Sequence, residues 1–443
     1  MTTQRRITVI GSGISGLAVA HGLAGRAQVT LFEAGDYFGG HTHTVDMTLD
    51  GHTHGVDTAF LVLNERTYPR LLRLFAELEV EVAESDMSFS VQVPAGASGG
   101  ALEWSGCDLN TVFAQRRNLV RPRFWKMLAD LRRFNRITTG LAQAGRETEL
   151  DQPIAEFLLK HRFSEAFRDW YFLPMIGCIW SCPVDQMLRF PIATMIRFCH
   201  NHGLIQLTNR PQWYTVRGGA RHYVEKMLRV IPDARLRTPV RSVRRLPSAT
   251  GQAGVLVSTD AGTELFDEVV MACHSDQSLA LLADASPAER DVLGAIRYHR
   301  NRAVLHTDTS LLPQRRLAWA AWNYERAADD SREQAAVCLH YLLNRLQPLP
   351  FTSSVVVSLN PVTEPRAEHV HAEFDYAHPV FDMAAMAAQK RVPELQGQRH
   401  TWYCGAWTRY GFHEDGLMSG EAVCEGLKGR LPVAEPHIAR EPA

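Results

Sequence analysis

The 443-residue sequence has only five lysines beside 42 arginines, and its 47 basic and 48 acidic side chains leave a formal net charge of −1. Without a cationic excess there is no broad surface for a phosphate backbone, so nucleic-acid partners are not expected. No stretch reaches the roughly 18 uninterrupted apolar residues of a membrane span. The start, where Arg5 and Arg6 precede a glycine-broken strand, lacks the apolar region of a secretory signal. A cytoplasmic location is therefore expected. Of the eight cysteines only Cys178 and Cys182 lie close together, without the second pair a zinc site needs. Reduced, buried thiols and no metal are the expectation.

What is present is concentrated at the amino terminus. An apolar run at 7–10 meets Gly11-Ser12-Gly13-Ile14-Ser15-Gly16, and a second run at 29–32 ends on Glu33. The spacing predicts a dinucleotide-binding βαβ unit. Gly11 serves the tight turn, Gly13 lets the backbone approach a pyrophosphate, and Gly16 lets the helix pack close to the sheet. The phosphates would sit on a helix amino terminus, where free N–H groups and the helix dipole favour negative charge. Glu33, 17 residues past Gly16, has the spacing of a carboxylate that accepts hydrogen bonds from an adenosine ribose.

A chain this long exceeds the size of one core, so two domains are expected. The fold class is α/β. A discontinuous Rossmann-like domain is predicted from 1–70, 211–290 and 396–431, and a mixed α+β substrate domain from two inserts, 71–210 and 291–395, with a loose tail at 432–443. Residues 43–49 and 52–56 around Asp50-Gly51 predict a hairpin. The first insert is mainly helical in pattern, and the second offers strands at 303–307, 337–343 and 355–359. Near the carboxyl end a strand at 401–405 precedes a glycine-punctuated loop and a helix from about 416 to 427.

Several further motifs resemble those of the flavin-dependent amine oxidase and phytoene desaturase superfamily, and the resemblance covers nearly the whole chain. Gly39-Gly40 stands where that superfamily has a glycine pair touching the flavin diphosphate. Val240 looks like the residue whose backbone contacts the adenine, and Gly218-Gly219 resembles the second glycine pair. Gly405-Ala406-Trp407, followed by the run from Gly411 to Gly420, resembles the closing motif under the flavin ring. The resemblance implies noncovalent FAD held by Gly11, Ser12, Gly13, Ile14, Ser15, Gly16, Glu33, Ala34, Gly39, Gly40, His41, Thr42, Val240, Gly405, Asp415, Gly416 and Leu417. It also implies hydride transfer between a substrate carbon and flavin N5. Stretches such as Gly40-His41-Thr42-His43-Thr44 and Gly55-Val56-Asp57-Thr58 are similar to a bacterial subgroup of NAD/FAD-binding oxidoreductases associated with cyclopropane fatty acid synthases. That similarity implies a lipid acyl substrate, with amine oxidation as the alternative. Flavin-dependent isomerisation, or a role as flavin-holding partner of a lipid-modifying enzyme, are readings of another class.

The chain departs from the amine oxidase pattern at three places. Tyr37 stands where an arginine is common, and Ala406 where an acid often holds the ribityl chain, so Asp415 is the candidate for part of that role. None of the lysines lies in the 295–310 strand region.

His413 is the candidate for acid–base chemistry, because histidine exchanges a proton near neutral pH; a structural hydrogen bond is the alternative. Trp407 and Tyr410, with Phe412, form either an aromatic substrate wall or core. Glu414 and Asp415 alternatively cap the last helix. For His43, His52 and His54, a two-residue turn pairs Leu49 with His52 and Met47 with His54, which spreads the histidines along the ladder rather than around a metal. Residues 113–137 hold eight arginines and lysines against one acid, with Phe124, Met127, Leu128, Leu131 and Phe134 at helical spacing. Such a helix lies either in a lipid interface at the inner membrane face or against the protein's own core. Cys404 raises a covalent flavin link, but its apolar strand favours a buried thiol.

Overall fold

The computed structural model describes residues 4–94, 101–146, 150, 152–205, 211–246, 253–327 and 337–431. The chain divides into two compact units, one of residues 1–42, 221–296 and 388 onward, the other of 43–220 and 297–387. The divisions at 42 and 220 differ from those expected at 70 and 210, and strand pairing supplies the reason. Trp213–Val216 lies between Leu63–Asn64 and Val82–Ser85 in one antiparallel sheet, which draws both flanking segments into the second unit. The expected tail at 432–443 lies outside the described residues.

The first unit is built on a five-stranded parallel sheet. Its spatial order is Asp233–Arg235, Gln28–Phe32, Arg6–Ile10, Glu268–Met271, Thr401–Tyr403. Ile7, Val9, Leu31, Val269 and Val270 are buried, as continuous apolar runs must be where helices cover both faces of a sheet. The first helix, Ile14–Leu23, packs on the closing helix, His413–Lys428, through a seam of small residues. A Cβ on Gly420 would stand 2.4 Å from the Ser15 carbonyl oxygen, and one on Gly22 would stand 2.7 Å from Cys424 Sγ. Three antiparallel strands, Val240–Leu246, Gly254–Thr259 and Gly262–Phe266, complete the unit's sheets.

The second unit centres on a seven-stranded sheet. Its order is Val370–Val380, Arg297–His306, Val356–Leu359, Cys338–Leu342, Trp322–Glu325, Phe89–Val93, Leu102–Ser105. The last two strands come from the insert expected to be mainly helical. Both alternate apolar with polar residues, as Phe-Ser-Val-Gln-Val and Leu-Glu-Trp-Ser, but each is too short to stand out against the helical pattern of the rest of the insert. The hairpin Thr44–Leu49 with His52–Asp57 pairs Leu49 with His52 and Met47 with His54, in the expected register. Asp50 and Gly51 both have positive φ, at 53° and 80°, as a tight hairpin turn of this length requires. The basic helix, Pro122–Gln143, turns Phe124, Met127 and Phe134 into the unit's own core. Its apolar stripe is therefore not a lipid-facing surface.

Candidate active site

The glycine loop does three separable things. Gly11 (φ 103°) turns the chain so tightly that a Cβ would stand 2.9 Å from the Ala272 carbonyl oxygen, and its N–H donates to the Phe32 carbonyl at 2.9 Å. Gly16 sits against the loop itself, since a Cβ there would fall 1.9 Å from the Gly11 carbonyl oxygen. Gly13 is different, because nothing lies within 4 Å of where its Cβ would be. It opens the first helix without a side-chain cap and with no acid in the first turn, which leaves the N–H groups of that turn for an anion. Opposite, Gly40 (φ 60°) would bring a Cβ within 3.1 Å of Gly13 Cα, so two glycine backbones border one lane.

Glu33 organises the loop. It accepts from the Ser12 N–H at 3.0 Å, from the Ser12 hydroxyl and from the Gly35 N–H at 2.8 Å, while Ser12 Oγ accepts from the Gly39 N–H at 3.1 Å. The first glycine motif, the acid and the glycine pair are thereby one hydrogen-bonded body. The Glu33 carbonyl also accepts from Thr238 N at 2.8 Å, which brings the chain leading to buried Val240 alongside. Ala34 is exposed beside it.

The closing helix begins at His413, three residues before the expected start, and its first turn comes against the first helix: a Cβ on Gly416 would stand 2.8 Å from Ile14 Cγ2. Two helix amino termini thus converge. His413 Nε2 lies 2.6 Å from Tyr223 Oη and 3.4 Å from Thr42 Oγ1, and Tyr223 and Thr42 hydroxyls are themselves hydrogen-bonded. Burial, then the neighbouring His41, pushes the His413 pKa down to about 3. The structure therefore holds His413 neutral as a hydrogen-bond partner and removes the near-neutral titration that recommended it. Burial and His274 likewise push His41 down to about 4. Tyr223, which the sequence reading passed over, is fully buried; only the fold brings it to residues 181 and 190 positions away.

Other expected residues have structural roles. Asp415 accepts from the Phe412 and Tyr410 N–H groups at 3.1 and 3.3 Å and pairs with Arg409 at 3.2 Å, so it caps its own helix. Burial raises its pKa to about 6. Trp407 is 2% exposed and donates its indole N–H to the Cys273 carbonyl at 3.2 Å, which makes it core rather than substrate wall. Its ring occupies the space beside Gly405 that a Cβ would need. Tyr410 is half-buried, Leu417 buried. Cys404 is fully buried, and burial raises its thiol pKa far above the ordinary value. In the second unit, Asp57 accepts from Ala220 N–H at 2.9 Å and from Thr44, fixing the chain just after Gly218-Gly219.

Among the described residues one group, Glu325, Cys338 and His340, brings donor atoms within 4.8 Å of each other. Its hydrogen bonds run in one direction. His306 Nδ1 accepts the Asp308 N–H, so Nε2 carries the proton and donates to Ser358 Oγ at 2.6 Å. Ser358 then donates to His340 Nδ1 at 2.7 Å, which leaves a proton on His340 Nε2 for Glu325 at 2.9 Å.

A parallel sheet with an open glycine lane, a carboxylate at the end of its second strand and two converging helix amino termini defines a dinucleotide-dependent oxidoreductase. The chain belongs to the flavin-containing amine oxidoreductase family, whose sequence profile matches residues 14–307. Its cofactor is FAD, and the lane beside Gly13 and Gly40 fits the dinucleotide's phosphates. The comparison with curated proteins gave no match. Among solved structures, the fold is similar to a CLA-producing fatty acid isomerase from P. acnes at 16% identity, covering 96% of this chain and 99% of that one, with a TM-score of 0.66. It is also similar to putrescine oxidase (15% identity, 96% and 99% coverage, TM-score 0.67) and to cyclohexylamine oxidase from Brevibacterium oxydans IH-35A (15%, 96% and 100%, 0.64). No helix among the described residues is long and apolar enough to cross a membrane.

Proposed function

We propose that this flavin-dependent oxidoreductase acts on a lipid acyl chain, introducing or saturating a carbon–carbon double bond within it. The observation that carries the reading is the neutrality of the His41 and His413 side chains beside the converging helix ends. His413 and His41 are held uncharged, Tyr223 and Thr42 complete a hydrogen-bonded set, and none of the five lysines is buried. An alkyl carbon needs no charged partner, whereas an ammonium substrate gains from an anionic one. When bound, FAD supplies a two-electron acceptor or donor at N5. Tyr223 Oη and His413 Nε2 supply a hydrogen-bonded pair that fixes the polar groups of the site without adding a charge to it. The similarity to a fatty acid isomerase supports an acyl-chain substrate and favours isomerisation as the second reading; the amine oxidases among the structural neighbours support amine oxidation.

The test is anaerobic incubation of the FAD-loaded protein with oleoyl and linoleoyl phospholipids, and separately with putrescine and cyclohexylamine. The expected result is bleaching of the flavin band, or its return from the reduced state, with a two-hydrogen change in acyl mass. An unchanged acyl mass with a moved double bond would favour isomerisation. Bleaching by amines alone would overturn the acyl reading. Turnover only after addition of a lipid-modifying enzyme would assign the chain a partner's role.

A further inference from the structure

The apolar stripe of the basic helix is buried, yet the segment leading into it presents a different set of apolar side chains outward. Leu109 is 79% exposed, Val120 81%, Leu119 48% and Trp125 49%. They are held together. Trp125 donates its indole N–H to the Leu119 carbonyl at 2.8 Å and lies 5.5 Å from the Phe113 ring, and Arg116 reaches back to the Asn110 carbonyl at 3.3 Å. The short helix Leu109–Val112 also packs beside Arg316–Ala318, which adds the exposed Leu317.

The charge around this patch is predominantly positive, with Asp108 engaged as the cap of the short helix. Between residues 109 and 129 there are four arginines and one lysine and no acid. The first acid, Asp130, is buried and already engaged by Lys126, Arg133 and the Ser164 N–H. Arg123 lies over the Trp170 ring at 5.1 Å and 3.9 Å from Glu165, and Arg116 and Arg117 are exposed. The Arg121 guanidinium is held below its ordinary pKa by burial and then by repulsion from Arg117 and Arg123, a crowding that a facing anion relieves.

We propose that the second unit docks on an anionic lipid surface through residues 109–125, with Leu119, Val120 and Trp125 entering the headgroup region and Arg116, Arg117 and Arg123 meeting lipid phosphates. Charge complementarity commits the patch to this occupant. Trp beside arginine on an otherwise apolar tip is the composition that partitions to a membrane interface, and arginines that outnumber the neighbouring carboxylates Asp108 and Glu165 match a phosphate-bearing sheet. The proposal is independent of the acyl-substrate reading, because it concerns where the protein sits and not what it oxidises.

The experiment is flotation of the FAD-loaded protein with phosphatidylcholine vesicles, and with vesicles of phosphatidylcholine and phosphatidylglycerol. Binding to the anionic vesicles alone, weakening as salt is raised, is expected. Arg117→Gln and Arg123→Gln should each lower vesicle affinity about five-fold. Val120→Asp, at an exposed side chain, should lower it further with the melting temperature and flavin content unchanged. Arg117→Gln, whose side chain also holds the Ala101 carbonyl, is read beside Val120→Asp so that a local rearrangement is not mistaken for a lost lipid contact. No binding to either vesicle, equal binding to both, or undiminished binding by Val120→Asp would overturn the proposal. Retention on an acidic protein surface or an oligonucleotide but not on vesicles would overturn it too. Oxidase assays on soluble substrates leave it untouched, so its failure and that of the acyl reading are separable.

Discussion

Two glycines of one motif illustrate how residue-scale chemistry separates stability from binding. A methyl at position 16 would overlap the Gly11 carbonyl, so Gly16→Ala should destabilise the protein by about 1–3 kcal/mol or prevent folding. A methyl at position 13 meets no protein atom, so Gly13→Ala should melt within about 1 kcal/mol of wild type. It should nevertheless lose flavin, because the methyl enters the lane. Gel filtration followed by the ratio of flavin to protein absorbance, beside thermal melts, checks both; equal flavin retention by Gly13→Ala would refute the lane. The pKa shifts give a second residue-scale prediction. Asp415, raised from 3.8 to about 6, binds its proton more tightly in the folded state, so its contribution is whole below pH about 4 and lost as pH rises through about 6. His413, lowered from 6.5 to about 3, contributes fully above pH 6.5 and loses that contribution as pH falls towards 3. Asp415→Asn keeps an acceptor for the Phe412 and Tyr410 N–H groups and removes the first slope. Its stability should gain on wild type as pH rises from 4 to 7, by at most about 3 kcal/mol, in denaturant titrations at each pH. The glycines were readable because a backbone needing positive φ or close approach admits few other residues. The histidine's titration was not, because desolvation depends on neighbours from distant parts of the chain.

Elements in the first unit are joined by a buried ion pair as well as by apolar packing. Arg245, in the strand Val240–Leu246, makes a two-pronged contact with Glu289 at 2.8 and 2.9 Å and bonds Asp284 at 2.7 Å, while Tyr403 of the last parallel strand donates to Glu289 at 2.6 Å. These contacts outweigh burial and hold the Glu289 pKa near 2, so its contribution is complete above pH 4.5 and is lost as pH falls through about 2. Arg245→Met strands a buried carboxylate and should cost about 3–5 kcal/mol, whereas Arg245→Met with Glu289→Leu should recover much of it. Urea unfolding of the two variants measures the difference, and equal losses would show that the pair is not coupled. At this scale the sequence was informative where apolar runs were continuous, as at 7–10 and 29–32. It misled at Phe89–Val93 and Leu102–Ser105, because their apolar–polar alternation is too short to stand out inside an insert otherwise helical in pattern.

At the scale of the whole molecule, neither compact unit is a continuous stretch of chain. The first strand has Gln28–Phe32 on one side and Glu268–Met271 on the other, and the outer neighbour Thr401–Tyr403 arrives still later. A fragment ending at residue 220 therefore leaves the glycine lane on a two-stranded remnant. It should show no cooperative thermal transition and bind no flavin, as read by circular dichroism and absorbance; a sharp melt would mean that the amino-terminal segment folds alone. The sequence by itself determined the dinucleotide motif, the α/β class and the family resemblance, because these rest on backbone demands met within about 35 consecutive residues or on motifs of fixed spacing. Only the tertiary structure decided that Tyr223, Thr42 and His413 form one neutral cluster, that Asp415 caps its helix and Trp407 fills the core, and that Val120 and Trp125 rather than Phe124 and Met127 face outward. Each of those outcomes depends on which distant segments exclude water from a side chain, and no local spacing encodes that.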